Sequence, residues 1–182
     1  MLHHAITLCL VLISAVFAAL LTPAPAHAGP TAPPRANGPL LANKVLTKGQ
    51  IAAAAAITQI GVSFSWGGGS PKGPTLGIGR GSGTRGFDCS GLTLYAWSRA
   101  GVRLSHYTGA QFRQGRRIPL AARRTGDLLF FGGGAGDPTH VALFLTGGLM
   151  VHATRTGDMV RKSNFLTSSY YRTTFRGVVR PG

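Results

Sequence analysis

From Leu128 onward the chain is a succession of short apolar segments, and this half limits the possible folds more than any other stretch. Leu128–Phe131, His140–Leu145, Leu149–Ala153, Met159–Lys162 and Phe175–Val179 are separated by Gly, Asp and Pro signals. Runs of this length, bounded by turn residues and rich in Val, Leu and Phe, read as strands. Most of the links between them are too short for parallel crossovers, so the sheet is antiparallel. Helical patterns come earlier. Thr47-x-x-Gln50 is a capping box opening a helix that runs to about Ile60, with Gly61 as its stop. A second helix starts at Cys89, runs to about Arg99–Ala100 and stops at Gly101, and Tyr107 to Gln114 forms a short third. Helices first and strands afterwards is the order of an α+β fold.

The N-terminus stands apart from this pattern. Ala5 to Leu21 is an almost unbroken apolar run, followed by Thr22-Pro-Ala-Pro25 and the small-x-small triplet Ala26-His-Ala28. Residues 1–28 therefore read as a secretory signal peptide, and 29–46, rich in Pro, Ala and Gly, as a linker to a domain over 47–182. Cleavage would leave Cys89 as the single cysteine of the mature chain. One thiol cannot form an internal disulfide or a four-thiolate zinc site, so pairing between chains or reactivity is left to account for it.

The charge is one-sided, with 19 Lys and Arg against 4 Asp and no Glu. Such a field favours polyanions and weakens with salt. The basic residues are scattered rather than gathered, and an exported protein meets anionic wall polymers before nucleic acid, so no nucleic-acid partner is expected. Gly81-Ser-Gly-Thr-Arg-Gly86 fits a dinucleotide fingerprint, but no apolar strand precedes it and no acidic residue follows at the required distance. The nucleotide reading is discarded.

The chemistry centres on Phe87-Asp-Cys-Ser-Gly91. Asp88 is a good N-cap, which puts Cys89 in the first turn of its helix, where unpaired N–H groups and the peptide dipoles favour a thiolate. A thiol nucleophile needs a base, and His106, His140 and His152 are the histidines of the mature chain. His106, in a loop or at a helix start, reads as a surface residue. His140 and His152 lie in successive strands, and their relation depends on register. A two-residue Gly147-Gly148 turn would set 143 opposite 152 and send the two rings to opposite sides of the sheet. An odd loop over 146–148 sets 142 opposite 152 and brings both rings to one face, so a catalytic pair requires the odd register, with Gly147 or Gly148 at positive φ.

Together, Phe64-Ser-Trp-Gly-Gly68, Phe87-Asp-Cys-Ser-Gly-Leu92, Gly126-Asp-Leu-Leu-Phe-Phe131, His140-Val141 and Val151-His-Ala153 resemble the NlpC-type cell-wall peptidases over roughly residues 50–180. These are papain-like cysteine peptidases that cut peptidoglycan stem peptides. The resemblance implies an α+β, papain-like fold whose N-terminal helices pack on a central antiparallel sheet of about five to six strands. It implies Cys89 as nucleophile, His140 as base and His152 as the residue orienting it, with a thiolate–imidazolium pair near neutral pH. Asp88 and Ser90 match positions that hold the substrate's α-amino group, and Phe64 and Trp66 fall in the substrate groove. No metal or cofactor is implied. The bond most often cut in the family joins the γ-carboxyl of D-glutamate to the diamino acid. Phe64 stands where the family usually carries Tyr, which removes a hydroxyl from the neighbourhood of the nucleophile. The expectation is thus a secreted, monomeric peptidoglycan endopeptidase acting on stem peptides and held on anionic wall polymers. A catalytically degenerate binding module, or an amidase or acyltransferase on the same scaffold, are the alternatives.

Overall fold

The computed structural model describes residues 45–182. The expected signal peptide, and all of the expected linker but its last two residues, lie outside them. Among the described residues, no helix is long and apolar enough to cross a membrane.

Helix α1 (Lys48–Ile57) opens with the reciprocal box read from the sequence: Gln50 N–H donates to Thr47 Oγ1 at 3.2 Å and Thr47 N–H to Gln50 Oε1 at 2.9 Å. It ends three residues earlier than expected. Gln59, Ile60 and Val62 donate to carbonyls three residues back, so the last turn tightens out of α geometry before Gly61 at φ +92°. A small hairpin of β1 (Thr75–Leu76) and β2 (Arg85–Gly86) follows, then α2 (Cys89–Arg99) and the short α3 (Thr108–Arg113). Beyond these the chain forms β3 (Arg116–Ile118), β4 (Leu128–Phe131), β5 (His140–Thr146), β6 (Leu149–His152), β7 (Arg161–Asn164), α4 (Ser169–Thr173) and β8 (Phe175–Arg180). The six strands β3 to β8 make one antiparallel sheet in the order β3-β8-β4-β5-β6-β7. The architecture is α+β.

The sheet is apolar on both sides because its central strands are covered twice. Leu128, Phe130, Val141, Leu143 and Val151 face α1 and α2, meeting Ala52, Ala56, Leu92, Ala96 and Trp97. Leu129, Phe131, Ala142, Phe144 and Met150 face the other way and are closed over by Phe165, with Tyr171 and Phe175 partly buried against them. β4 is buried at every position, which is why it reads as a continuous apolar run rather than an alternation. One ion pair fastens the last strand to the start of β4. Arg180 Nε and one terminal nitrogen each lie 2.7 Å from the Asp127 carboxylate, which is only 2 % exposed.

The β5–β6 register is the one a histidine pair requires, but a different device produces it. Thr146 pairs with Leu149 across a two-residue Gly147-Gly148 turn, with Gly147 at φ +58°. Continued straight, that turn would set 143 opposite 152. A bulge between Phe144 and Thr146 absorbs one residue, so Leu143 pairs with Val151 and the strands run on in the shifted register. The expected odd loop is therefore corrected to an even turn plus a bulge.

The two edge strands also depart from expectation. β3 was not anticipated, and the strand expected at Met159–Lys162 lies at Arg161–Asn164. The apolar signal at Met159-Val160 belongs to the neighbouring loop. There Met159 bridges to Ser63, while Val160 is buried and exchanges backbone hydrogen bonds with Gly61 and Val62. Arg116-Arg117 and Arg161-Lys162 place charge on the sheet edges, where open backbone would otherwise template aggregation.

Candidate active site

Asp88 caps α2 and ties the surrounding loop to it. Its Oδ1 accepts from Gly91 N–H at 2.6 Å and Ser90 Oγ at 2.9 Å, while Oδ2 accepts from Gly67 N–H at 3.0 Å. His106 Nε2 lies 3.1 Å from Oδ1, and this carboxylate holds the imidazole above its ordinary value. The glycine after the cysteine is needed for packing. A side chain at Gly91 would collide with the Gly68 carbonyl, so the first turn of α2 sits backbone against backbone on the Phe64–Gly69 segment. Ser90 is buried with its hydroxyl given to Asp88, so of the two positions implied for a substrate amine only Asp88 keeps a partner at the surface, His106.

Cys89 is the free thiol of the described residues and is partly exposed. Its sulfur lies 3.7 Å from Thr108 Oγ1 at the start of α3. Burial pushes the thiol up to about 11, the Asp88 charge adds to this, and hydrogen bonds from the Val141 backbone, Thr108 and the Ser90 backbone pull the other way without prevailing. The expected lowering by the helix start is outweighed. Desolvation of a thiolate in this packed corner costs more than those donors return.

His140 opens β5 and His152 closes β6, and the shifted register brings the rings together, with His140 Nε2 2.9 Å from His152 Nδ1. His152 Nε2 in turn lies 2.9 Å from Ser163 Oγ on β7, and Tyr171 Oη lies 3.5 Å from His152 Nδ1. His152 is fully buried. Burial holds His140 down at about 4, and burial, His140 and Arg161 hold His152 down at about 3. These shifts favour the neutral form of both imidazoles and of the thiol. Their directions run against the expected thiolate–imidazolium pair. No hydrogen bond joins Cys89 to His140 among those of the described residues; the sulfur reaches the backbone of the next residue, Val141.

Phe64 is buried in the core on the α2 side, and its N–H donates to the Asp158 carbonyl at 2.8 Å. Trp66 is half-exposed with the Arg80 guanidinium stacked 4.3 Å from its ring centroid. Both line a cavity of about 240 Å³ together with Arg80, Gly81, Thr156 and Met159. The Gly-rich loop over residues 67–86 thus supplies one wall of that cavity. Among the described residues, no cluster of His, Cys and Asp could hold a metal ion.

Four contributors were not legible in the sequence. Thr108 lies in the expected short helix, but nothing in the sequence ties it to the thiol, and Ser163 sits in a polar edge strand that carries no pattern of its own. Tyr171 lies in the unanticipated α4. His106 was read as a surface residue, and it is exposed, but its partner is 18 positions away.

The NlpC/P60 family matches residues 61–180. The peptidoglycan endopeptidase RipA of Mycolicibacterium smegmatis is 48% identical over 112 residues, covering 62% of this chain and 22% of RipA. RipB of Mycobacterium tuberculosis, likewise described as a peptidoglycan endopeptidase, is 40% identical over 141 residues, 78% of this chain and 55% of RipB. The chain thus spans about a fifth of one relative and about half of the other. The structure of RipB, a peptidoglycan hydrolase, superposes with a TM-score of 0.65 at 37% identity, over 73% of this chain and 64% of RipB. RipD of Mycobacterium tuberculosis, described as a non-catalytic domain adapted to peptidoglycan binding, superposes with a TM-score of 0.64 at 34% identity, over 75% of this chain and 98% of RipD. With the matched segment covering most of the described residues, the chain belongs to the NlpC/P60 family.

Proposed function

We propose that this chain is a cysteine endopeptidase hydrolysing amide bonds of peptidoglycan stem peptides, with the D-γ-glutamyl–diamino acid bond as its target. The observation that carries this reading is the line of contacts from Ser163 through His152 to His140, because it has a consistent proton direction. With His152 Nε2–H donating to Ser163 Oγ, His152 Nδ1 keeps its lone pair and accepts from His140 Nε2–H. His140 Nδ1 is then left with a free lone pair, the form a general base needs. RipA and RipB, described as peptidoglycan endopeptidases, support the substrate class.

The resting neutrality shapes the mechanism. Substrate enters against a protonated thiol, and the proton passes to His140 Nδ1 as the sulfur bonds to the amide carbonyl carbon. Backbone N–H groups at the start of α2 are the natural donors to the oxyanion. His140 then gives its proton to the leaving amine, and a thioester to Cys89 remains. Water, deprotonated by the same imidazole, attacks the thioester, releases the carboxylate product and restores the thiol. His152 holds the His140 ring and its tautomer. Asp88 would meet a substrate amine by exchanging His106 for it. Phe64 and Trp66 would line the groove on the far side. This sequence uses no metal or cofactor.

Export fits the reading, with residues 1–28 removed as a signal peptide and a monomer retained on anionic wall polymers by its basic surface; retention should weaken as salt rises. Nucleic acid has no place in it. A second reading, a binding module without turnover, is favoured by the likeness to RipD and by the hydroxyl missing at Phe64. Incubating the protein with defined stem peptides and identifying fragments by mass spectrometry separates the two. The endopeptidase gives two fragments that disappear in Cys89→Ala. Tight binding with no fragments establishes the module instead.

A further inference from the structure

Beside His140 the surface opens into a cavity of about 420 Å³, lined by Thr139, His140, Thr154, Arg155, Arg161 and Tyr170. The mechanism derived above uses only one of these residues. The others make an electropositive recess next to the catalytic base, in a molecule whose acidic residues number 4 against 19 Lys and Arg.

The carboxylate closest to this recess is already occupied. Asp158 Oδ1 accepts from Met159 N–H at 2.8 Å, and Oδ2 accepts from the Thr154 hydroxyl. Arg161 reaches that carboxylate only at 3.4 Å. Its guanidinium is half-exposed, so most of its donors are open. Arg155, also exposed, makes neither an ion pair nor a side-chain hydrogen bond among the described residues. Two guanidiniums that line one recess without a full partner suit a planar, two-oxygen anion.

Their position also carries a chemical cost. Arg161 is the cross-strand partner of His152, and its charge opposes protonation of that ring. His140, which takes the proton in the proposed mechanism, is hydrogen-bonded to that ring, and the cation beside it is only partly paired with Asp158. An anion brought by the substrate would remove the conflict when the proton arrives.

We propose that this cavity is a carboxylate subsite, in which Arg155 and Arg161 grip a free carboxylate of the stem peptide next to the bond that is cut. The inference rests on the peptidase reading. Two carboxylates of the substrate share this chemistry: the α-carboxyl left free by a γ-linked D-glutamyl residue, and the carboxyl of the diamino acid on the leaving side. The bound carboxylate offsets the Arg161 charge on His152, the partner of the base, so its effect falls on kcat as well as on KM.

The test compares three synthetic stem peptides: one with both carboxylates free, one amidated at the D-glutamyl α-carboxyl, and one amidated at the diamino acid. In the wild type, amidation at the recognised position lowers kcat/KM by at least about ten-fold, the worth of a charge-assisted contact. Which peptide suffers identifies the carboxylate. In Arg155→Gln, Arg161→Gln and above all the double variant, the ratio of free to amidated kcat/KM falls towards one. Equal cleavage of all three peptides by the wild type overturns the proposal, as does a preference that survives the double substitution. If the wild type cuts none of them, the peptidase reading fails by itself. Calorimetric binding of the same peptides then decides the subsite: a preference for a free carboxylate that is lost in the double variant supports it, and indifference to amidation overturns it.

Discussion

The Ser163 hydroxyl stands 2.9 Å from His152 Nε2, at the end of the line that begins at His140. It is an edge-strand residue, with Met150 as its cross-strand partner, and no hydrogen bond joins it to the thiol among the described residues. In the proposed mechanism its effect is on which nitrogen of each ring carries the proton. Ser163→Ala removes the acceptor, leaves His152 free to adopt the other tautomer, and should lower kcat about ten-fold with KM little changed. Ser163→Thr keeps the hydroxyl and should restore most of the rate. A fall in KM alone, or an equal loss in both variants, would argue for packing rather than proton direction.

His152 itself should matter more. His152→Ala leaves His140 Nε2 without a partner and should cost on the order of 100-fold in kcat, while His152→Asn, which still offers an acceptor, should lose less. Steady-state kinetics on a stem peptide, with thermal unfolding to verify folding, distinguishes the two.

Asp88 works against the thiolate as well as capping its helix. Asp88→Asn removes the charge that raises Cys89 and keeps an oxygen for the cap, so the midpoint of iodoacetamide alkylation should move to lower pH. Asp88→Ala should show the same shift together with a loss of about 1–2 kcal/mol in stability. An alkylation midpoint that stays put in both variants would mean that burial alone sets the thiol.

The two buried imidazoles give the fold an acid limit. Their folded values lie below the ordinary 6.5, at about 4 and about 3, so the unfolded chain binds more protons across that interval. Stability contributed by the neutral rings is complete above 6.5 and is lost progressively as the pH falls towards 4 and below. The melting temperature should therefore drop over this window, and less steeply in His152→Gln. A flat profile between pH 6.5 and 4 would contradict the neutral resting pair.

The Asp127–Arg180 pair is the most exposed to failure by a single substitution. Arg180→Met strands a carboxylate that is 2 % exposed and should cost about 3 kcal/mol or more, measurable by urea unfolding. Replacing both partners with apolar residues should recover part of that loss.

The parts of this architecture that were legible in the sequence are those written in apolar runs. Leu128–Phe131 and the two long hairpin strands are covered on both faces, and their composition states it. β3 and β7 are edge strands made largely of Arg, Lys, Ser and Asn, which fit a charged loop as well as a protected edge, so neither could be located in advance. The register of β5 on β6 was legible as a requirement, since only one parity lets the histidines meet. The bulge that meets it was not, because Phe144-Leu-Thr146 carries no glycine or turn residue to announce an extra position. The upward push on the thiol was missed for a related reason. A helix start is a local property read from Asp88-Cys89, whereas desolvation comes from α3 and β5, elements distant in the chain.

The protonated resting state of Cys89 has a consequence for survival as well as catalysis. Peroxide, disulfides and soft metal ions react with the thiolate, and a thiol held at about 11 presents almost none of it at neutral pH. On the proposed mechanism Cys89 ionises only while it attacks its substrate, and it is chemically quiet between turnovers. On the endopeptidase reading, such a thiol would outlast many turnovers in oxidising surroundings without a reductant to restore it.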